Sequence, residues 1–301
     1  DTVDAGATAA EDEAIRLAIH RGDDIAGRLH PGLFGDPTRN AQAKITNPHK
    51  FSYPGYSELL TGVADPRIDS NAKRVNPNVN VLEWLNGRPG FEGRVAAFAS
   101  WDVFPFILAA ERSDLPVNAS GSPIASPQTD RDRLLGEFAE DLPAYWSSAR
   151  FDAVTMQGSL EYLRTRQPRV LYVALDETDE WAHERRYDLY LDAAHRSDRF
   201  LRRLWDAARS LPAYRDRTAL VVATDHGRGP GARDWTDHGE KVPPADRIWM
   251  AVMGPDTPAL GVRSGVPGTQ SQLAATLAHL LGEDFRTRRP EAAPPLPGVT
   301  R

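Results

Sequence analysis

Arg169-Val170-Leu171-Tyr172-Val173-Ala174-Leu175 is a continuous apolar run, followed at once by Asp176-Glu177-Thr178-Asp179-Glu180-Trp181-Ala182-His183. Seven residues with no polar alternation read as a strand covered on both faces. Residues 219–224 and 248–253 repeat that signature, and residues 94–100 form a further apolar strand. Helical stretches lie between them at 129–141, 151–166 and 270–281, the last closed by Gly282. Tyr187, Tyr190, Leu191, Ala194, Leu201, Leu204, Trp205 and Ala208 recur at helical spacing, marking one long amphipathic helix. Strands alternating with helices predict an α/β fold: a mostly parallel sheet flanked on both faces, a three-layer α/β/α sandwich. Ligands of such sheets gather beyond the carboxyl ends of the strands. Two strands, 169–175 and 219–224, deliver Asp179 with His183 and Asp225 with His226 to that same edge.

The bulk composition narrows the function classes. With 41% hydrophobic and 26% charged residues, the 301-residue chain has the make-up of a soluble globular protein. A net charge of −6 and the lack of any Lys/Arg-rich block argue against nucleic-acid binding. There is no cysteine, so disulfides and thiolate metal sites are excluded and any metal must be held by His and carboxylate. No apolar run reaches membrane-spanning length and no signal peptide opens the sequence, whose Asp1-Thr2-Val3-Asp4-Ala5-Gly6 start reads as a processed or cropped terminus. Residues 9–21 read as a helix, 43–46 as a short strand, and Asn80 as the cap of a short helix at 81–86. Residues 289–301 read as a loose Pro-rich tail.

Three segments carry chemistry. In Phe51-Ser52-Tyr53-Pro54, Pro54 suits the first turn of a helix that Gly62 ends, which places Ser52 at or just before a helix N-terminus. Unpaired N–H groups and the dipole there favour an oxyanion beside a hydroxyl nucleophile; the alternative is a serine that merely caps the helix. Asp179 and His183, four apart, face the same side of one helical turn. Asp225-His226 at a strand end wastes burial unless something pairs with both groups, and Gly227 would let the backbone approach a metal. His238 lies in the loop Trp235-Thr236-Asp237-His238-Gly239, with Asp237 as a candidate to orient its ring. The histidines at 20, 30, 49, 195 and 279 lack metal spacing and read as structural.

Taken together, these residues resemble the alkaline phosphatase superfamily, and within it the nucleotide pyrophosphatase/phosphodiesterase branch. That branch has a hydroxyl residue, an aromatic and a proline, then a helix ending in Thr-Gly; here the stretch runs from Ser52-Tyr53-Pro54 to Thr61-Gly62. Its Pro-Asp-x-x-Gly-His segment looks like Thr178-Asp179-Glu180-Trp181-Ala182-His183, its Ser-Asp-His-Gly like Thr224-Asp225-His226-Gly227, and its last histidine matches His238. The resemblance implies one alkaline-phosphatase-like catalytic domain over residues 1–288. It also implies two divalent metals, zinc first, with manganese or iron as alternatives. Asp179, His183 and His238 would hold one, and Asp225, His226 and the Ser52 oxygen the other. The implied activity is hydrolysis of small-molecule phosphate mono- or diesters through a phosphoserine at Ser52. The runners-up are a phosphotransferase or mutase, and a catalytically impaired metal-binding homologue. A periplasmic or secreted location goes with the family.

Three departures from the family pattern matter. The family opens with an apolar strand ending in an Asp that ligates the Ser52-side metal; no such strand is legible, and Asp4 is a poor substitute because nothing apolar precedes it. The diesterase branch places a phosphate-holding Asn after the proline, where this chain has Gly55. Sulfatases of the superfamily need Cys/Ser-x-Pro-x-Arg, and Tyr56 stands where that arginine belongs.

Overall fold

The computed structural model describes residues 32–35, 40–122 and 129–300, so the expected helix at 9–21 and Asp4 lie outside the described residues. The strands are β1 (Gly32–Phe34), β2 (Ala43–Lys44), β3 (Val95–Ala99), β4 (Val117–Asn118), β5 (Val170–Ala174), β6 (Leu220–Ala223), β7 (Met250–Met253) and β8 (Gly268–Thr269). The helices are α1 (Ser52–Thr61), α2 (Val81–Asn86), α3 (Phe104–Ile107), α4 (Ala110–Ser113), α5 (Asp130–Asp141), α6 (Asp152–Arg166), α7 (Glu177–His183), α8 (Tyr187–Ser210) and α9 (Leu273–Leu280). Each apolar run read from the sequence is a strand, and Asn80 caps α2 through a capping box with Glu83.

Parallel pairing holds for β4-β3-β5, where Val95 lies opposite Val170 and Ala99 opposite Ala174. This sheet is the middle of a three-layer sandwich. One face packs on α1, α2, α3 and α9 through Tyr172, Leu82, Leu85, Phe104 and Ala274. The other meets α6 and α8, with Leu171 and Val173 against Leu160, Leu163 and Phe200. The remaining long strands depart from the parallel expectation. β6 and β7 pair antiparallel, as do β7 and β1, forming a second three-stranded sheet. Apolar periodicity marks these strands as buried but says nothing of direction, which the connecting loops decide.

Among the described residues β5 and β6 are not paired with each other, and each has one paired neighbour. β5 is not buried throughout as its sequence suggests: Val170 and Ala174 are buried, whereas Leu171, Tyr172 and Val173 are half-buried. All four residues of β6 are also half-buried. Among the described residues no strand lies between them.

The tail is not loose. Ala292, Leu296 and Val299 are buried, Ala293 N–H donates to the Gly62 carbonyl at 3.0 Å, and Leu296 N–H donates to Thr276 Oγ1 at 2.8 Å. Three apolar side chains spaced along a Pro-stiffened segment pack beside α1 and α9, and their burial fixes a segment that Pro-rich composition alone marked as loose. No helix of the described residues is long and apolar enough to cross a membrane.

The start of α7 is fixed by reciprocal carboxylates. Asp152 accepts from the N–H groups of Asp176 (2.8 Å) and Glu177 (3.1 Å), while Glu177 accepts from Asp152 N–H (2.8 Å) and Trp181 Nε1 (3.1 Å). Each acid thus satisfies orphan donors at the other's helix N-terminus. Burial, with the Glu177 charge adding to it, raises the Asp152 carboxyl to about 6. A raised folded value means the native state keeps a proton that the unfolded chain releases, so this group's contribution falls as pH climbs from about 4 to about 6. Asp152→Asn is therefore expected to be most damaging, relative to wild type, at pH 4. The deficit should shrink by on the order of 2 kcal/mol by pH 7. Urea unfolding of both proteins across that range would test this, and a constant difference would contradict it.

Candidate metal centre

α7 directly follows β5, and its helical repeat stacks Asp179 and His183 on one face, as the spacing predicted. His183 Nε2 lies 3.1 Å from Asp179 Oδ2 and 3.0 Å from His238 Nε2. His238 Nε2 is in turn 3.6 Å from Asp179 Oδ1. One ligand-type atom from each of these three residues falls within 4.8 Å of the others. Two imidazoles and a carboxylate this close together are donors of the kind that could hold a divalent metal ion.

The second group forms beside it. His226 Nε2 is 3.4 Å from Asp225 Oδ2, 3.5 Å from Ser52 Oγ and 3.8 Å from Asp179 Oδ1. The His226 Nδ1 position is 3.0 Å from the Gly227 carbonyl, so Nδ1–H donates there and the Nε2 lone pair faces the serine. The His226 and His238 rings stack with centroids 4.0 Å apart, which brings the two groups into one centre. Ser52 is the first residue of α1, and no side chain caps that helix, so its hydroxyl is not spent on capping.

The charges around the centre suit cation binding. Burial would push the Asp179 carboxyl up, but the Arg228 guanidinium and the hydrogen bond with His183 hold it far below the usual carboxylate range. Burial and the neighbouring Asp179 charge raise Asp225 to about 7. Burial lowers His226, and burial with the His226 ring beside it lowers His238 to about 4. Both rings are thus neutral, the form that ligates. His183, by contrast, is raised by its hydrogen bond to Asp179.

Several expectations about supporting residues change. Asp237 does not orient His238: its Oδ2 takes the Thr236 hydroxyl, and His238 Nδ1 has no hydrogen-bond partner. A Cβ on Gly227 would sit 2.1 Å from the Arg247 carbonyl, so this glycine accommodates a crossing backbone segment rather than a metal. The first turn of α1 offers an anion less than a bare helix end would. Tyr53 N–H is taken by Asn71 Oδ1 at 2.9 Å, and Pro54 has no N–H.

Tertiary contacts supply residues that spacing could not reveal. Buried Gln270 donates from Nε2 to the carbonyls of Thr224 and Asp225, both at 2.8 Å, fixing the end of β6. Buried Glu58 accepts from the N–H groups of Thr46 and Asn47, anchoring the approach to Ser52. His49, read as structural, pairs with Glu240 at 2.6 Å and ties the Ser52 loop to the His238 loop. Gly55 backs directly onto the centre, because a Cβ there would lie 2.3 Å from the Asp225 carbonyl. The site thus has no room for the asparagine of the diesterase branch. Gly55→Ala is expected to lose about 3 kcal/mol of stability and to displace Asp225. A lower melting temperature together with reduced metal content would bear this out, whereas an unperturbed protein would contradict the contact.

A family model described as type I phosphodiesterase / nucleotide pyrophosphatase matches residues 32–284. The chain belongs to that family. Solved structures with the same fold include the alkaline phosphatase PafA, 10% identical, covering 91% of this chain and 94% of that one at a TM-score of 0.64. Murine ectonucleotide pyrophosphatase/phosphodiesterase 5 is 14% identical over 85% of this chain and 89% of its own, at a TM-score of 0.52. A 2-O GAG sulfatase is 14% identical over 91% and 68%, at a TM-score of 0.55. No curated protein matches the chain. The fold is that of the alkaline phosphatase superfamily, and the type I phosphodiesterase family to which the chain belongs acts on phosphate esters.

Proposed function

We propose that this chain is a metal-dependent phosphoric ester hydrolase that works through a phosphoserine at Ser52. The observation that carries the reading is the convergence of Asp179, His183 and His238 beside a serine hydroxyl 3.5 Å from His226 Nε2. In the first step Ser52 Oγ bonds to phosphorus as the ester P–O bond breaks and the alcohol departs. Water then attacks the phosphoserine, freeing phosphate from a monoester substrate or a phosphate monoester from a diester, and restoring the serine. Asp179, His183 and His238 would hold one divalent ion, and Asp225 and His226 a second beside Ser52. Bound there, zinc would supply Lewis acidity for the attacking and leaving oxygens. The chain's own residues contribute position, which is most of what phosphoryl transfer asks of a protein. Tyr56, in place of the arginine of the sulfatase signature, favours a phosphate over a sulfate ester.

A second reading has its own support. Among the described residues the Ser52-side group has only Asp225 and His226 besides the serine, which favours a chain that fills one metal position well and the other weakly. Metal analysis of chelator-free protein, with hydrolysis of aryl phosphate mono- and diesters and an aryl sulfate on the same sample, separates the two. Two ions and phosphate-ester turnover support the hydrolase. One ion and no turnover after zinc or manganese addition support the impaired homologue, and sulfate-ester turnover alone would refute both.

A further inference from the structure

Arg228, two residues beyond His226, places a permanent positive charge within the ligand group. Its Nη2 donates to Asp179 Oδ1 and, at 3.2 Å, to the Asp179 carbonyl. Its Nη1 donates to the carbonyls of Thr236 (3.1 Å) and Trp235 (3.4 Å), in the loop that carries His238. The side chain is 14% exposed, so water screens it little. Asp179 Oδ1 is also the oxygen that faces His226 Nε2 at 3.8 Å and His238 Nε2 at 3.6 Å. The guanidinium therefore sits on the one carboxylate oxygen that both ligand groups share.

We propose that Arg228 is a resident counter-ion of the centre that competes with divalent metal for Asp179 Oδ1, so that metal entry is coupled to release of the guanidinium from that oxygen. This rests on the metal-dependent reading above. Without metal, a carboxylate surrounded by buried groups needs a cation to remain ionised, and Arg228 provides it. When a divalent ion arrives, two cations share one oxygen at short range and repel each other. The carbonyls of Trp235, Thr236 and Asp179 can retain the arginine after it leaves Oδ1, so the loop stays stapled to α7. Arg228 thereby lowers metal affinity while keeping the empty centre assembled.

The charge and the staple can be separated. Arg228→Gln keeps an amide donor for the loop carbonyls but removes the charge, and Arg228→Lys keeps the charge but loses the planar fork. Calorimetric titration of chelator-stripped proteins with zinc and with manganese should give Arg228→Gln an affinity at least roughly tenfold higher than wild type. Arg228→Lys should stay at or below wild type. Equal or weaker binding by Arg228→Gln would make Arg228 a structural staple only and overturn the proposal. If neither wild type nor either variant binds metal, the metal-dependent reading itself fails and takes the proposal with it. A measurement on the wild-type protein guards against a variant that does not fold: phenylglyoxal modification of Arg228, followed by peptide mass spectrometry, should quicken when zinc is added. An unchanged or slower rate on zinc addition, in protein that binds zinc, would also overturn the proposal.

Discussion

Ser52→Ala is expected to lower turnover of an aryl phosphate by at least roughly 10⁴-fold while leaving metal content close to wild type. The asymmetry follows from the geometry. In the proposed mechanism the Ser52 hydroxyl would be the attacking group: it stands at the head of α1, does not cap that helix, and lies 3.5 Å from His226 Nε2. Metal affinity, in contrast, would be carried on the same proposal by carboxylate and imidazole groups on α7, the end of β6 and the His238 loop. Removing one oxygen atom from a half-buried position does not disturb the Glu58 and Asn71 contacts that hold the segment. Rapid-quench trapping of labelled protein adds a second readout, since wild type should acquire acid-stable phosphate and the variant none. Wild-type turnover by Ser52→Ala would remove the serine from the mechanism.

Asp179→Asn should be the more damaging change to the protein as a whole. Asp179 is the hub of the centre, with Oδ2 meeting His183 and Oδ1 facing His226, His238 and Arg228. Loss of its charge should reduce bound metal by about one ion per chain and turnover at least roughly 100-fold. It also strands Arg228, and breaking a largely buried ion pair from one side costs on the order of 2 kcal/mol in the metal-free protein. Because the carboxyl is held well below its ordinary range, that contribution is complete above about pH 4 and fades only as the pH falls through the folded value. Elemental analysis and urea unfolding at pH 7 measure the two effects separately. Undiminished metal content would show that Asp179 is not a ligand.

A chemical motif survives in a sequence wherever local geometry alone brings its parts together. Asp179 and His183 were legible as a pair because one helical turn spans them, and Asp225-His226 because both follow an apolar strand. The family segments around Ser52 and His238 added the rest, and the parallel β4-β3-β5 layer follows from the alternation of apolar runs with helices. Direction was not legible, because β6 and β7 read as ordinary buried strands although they pair antiparallel. Nor was the role of the tail: residues 289–301 look loose by composition, yet Leu296 and Val299 are core.

The sequence by itself determined which residues are candidates for holding metal and attacking an ester, and that Asp179 with His183 and Asp225 with His226 follow strand ends. Local chemistry and short-range periodicity are enough to specify those. Only the tertiary structure decided that a carbonyl leaves no space at Gly55, that Gln270 and Glu58 hold the two sides of the centre, and that Arg228 rests on the shared oxygen of Asp179. Each of those contacts joins residues from separate elements. Arg228 and Asp179 stand 49 positions apart, and Gln270 and Asp225 stand 45 apart. Nothing in the spacing of one glycine, glutamine or arginine distinguishes it from the others; proximity is created by the packing of the layers.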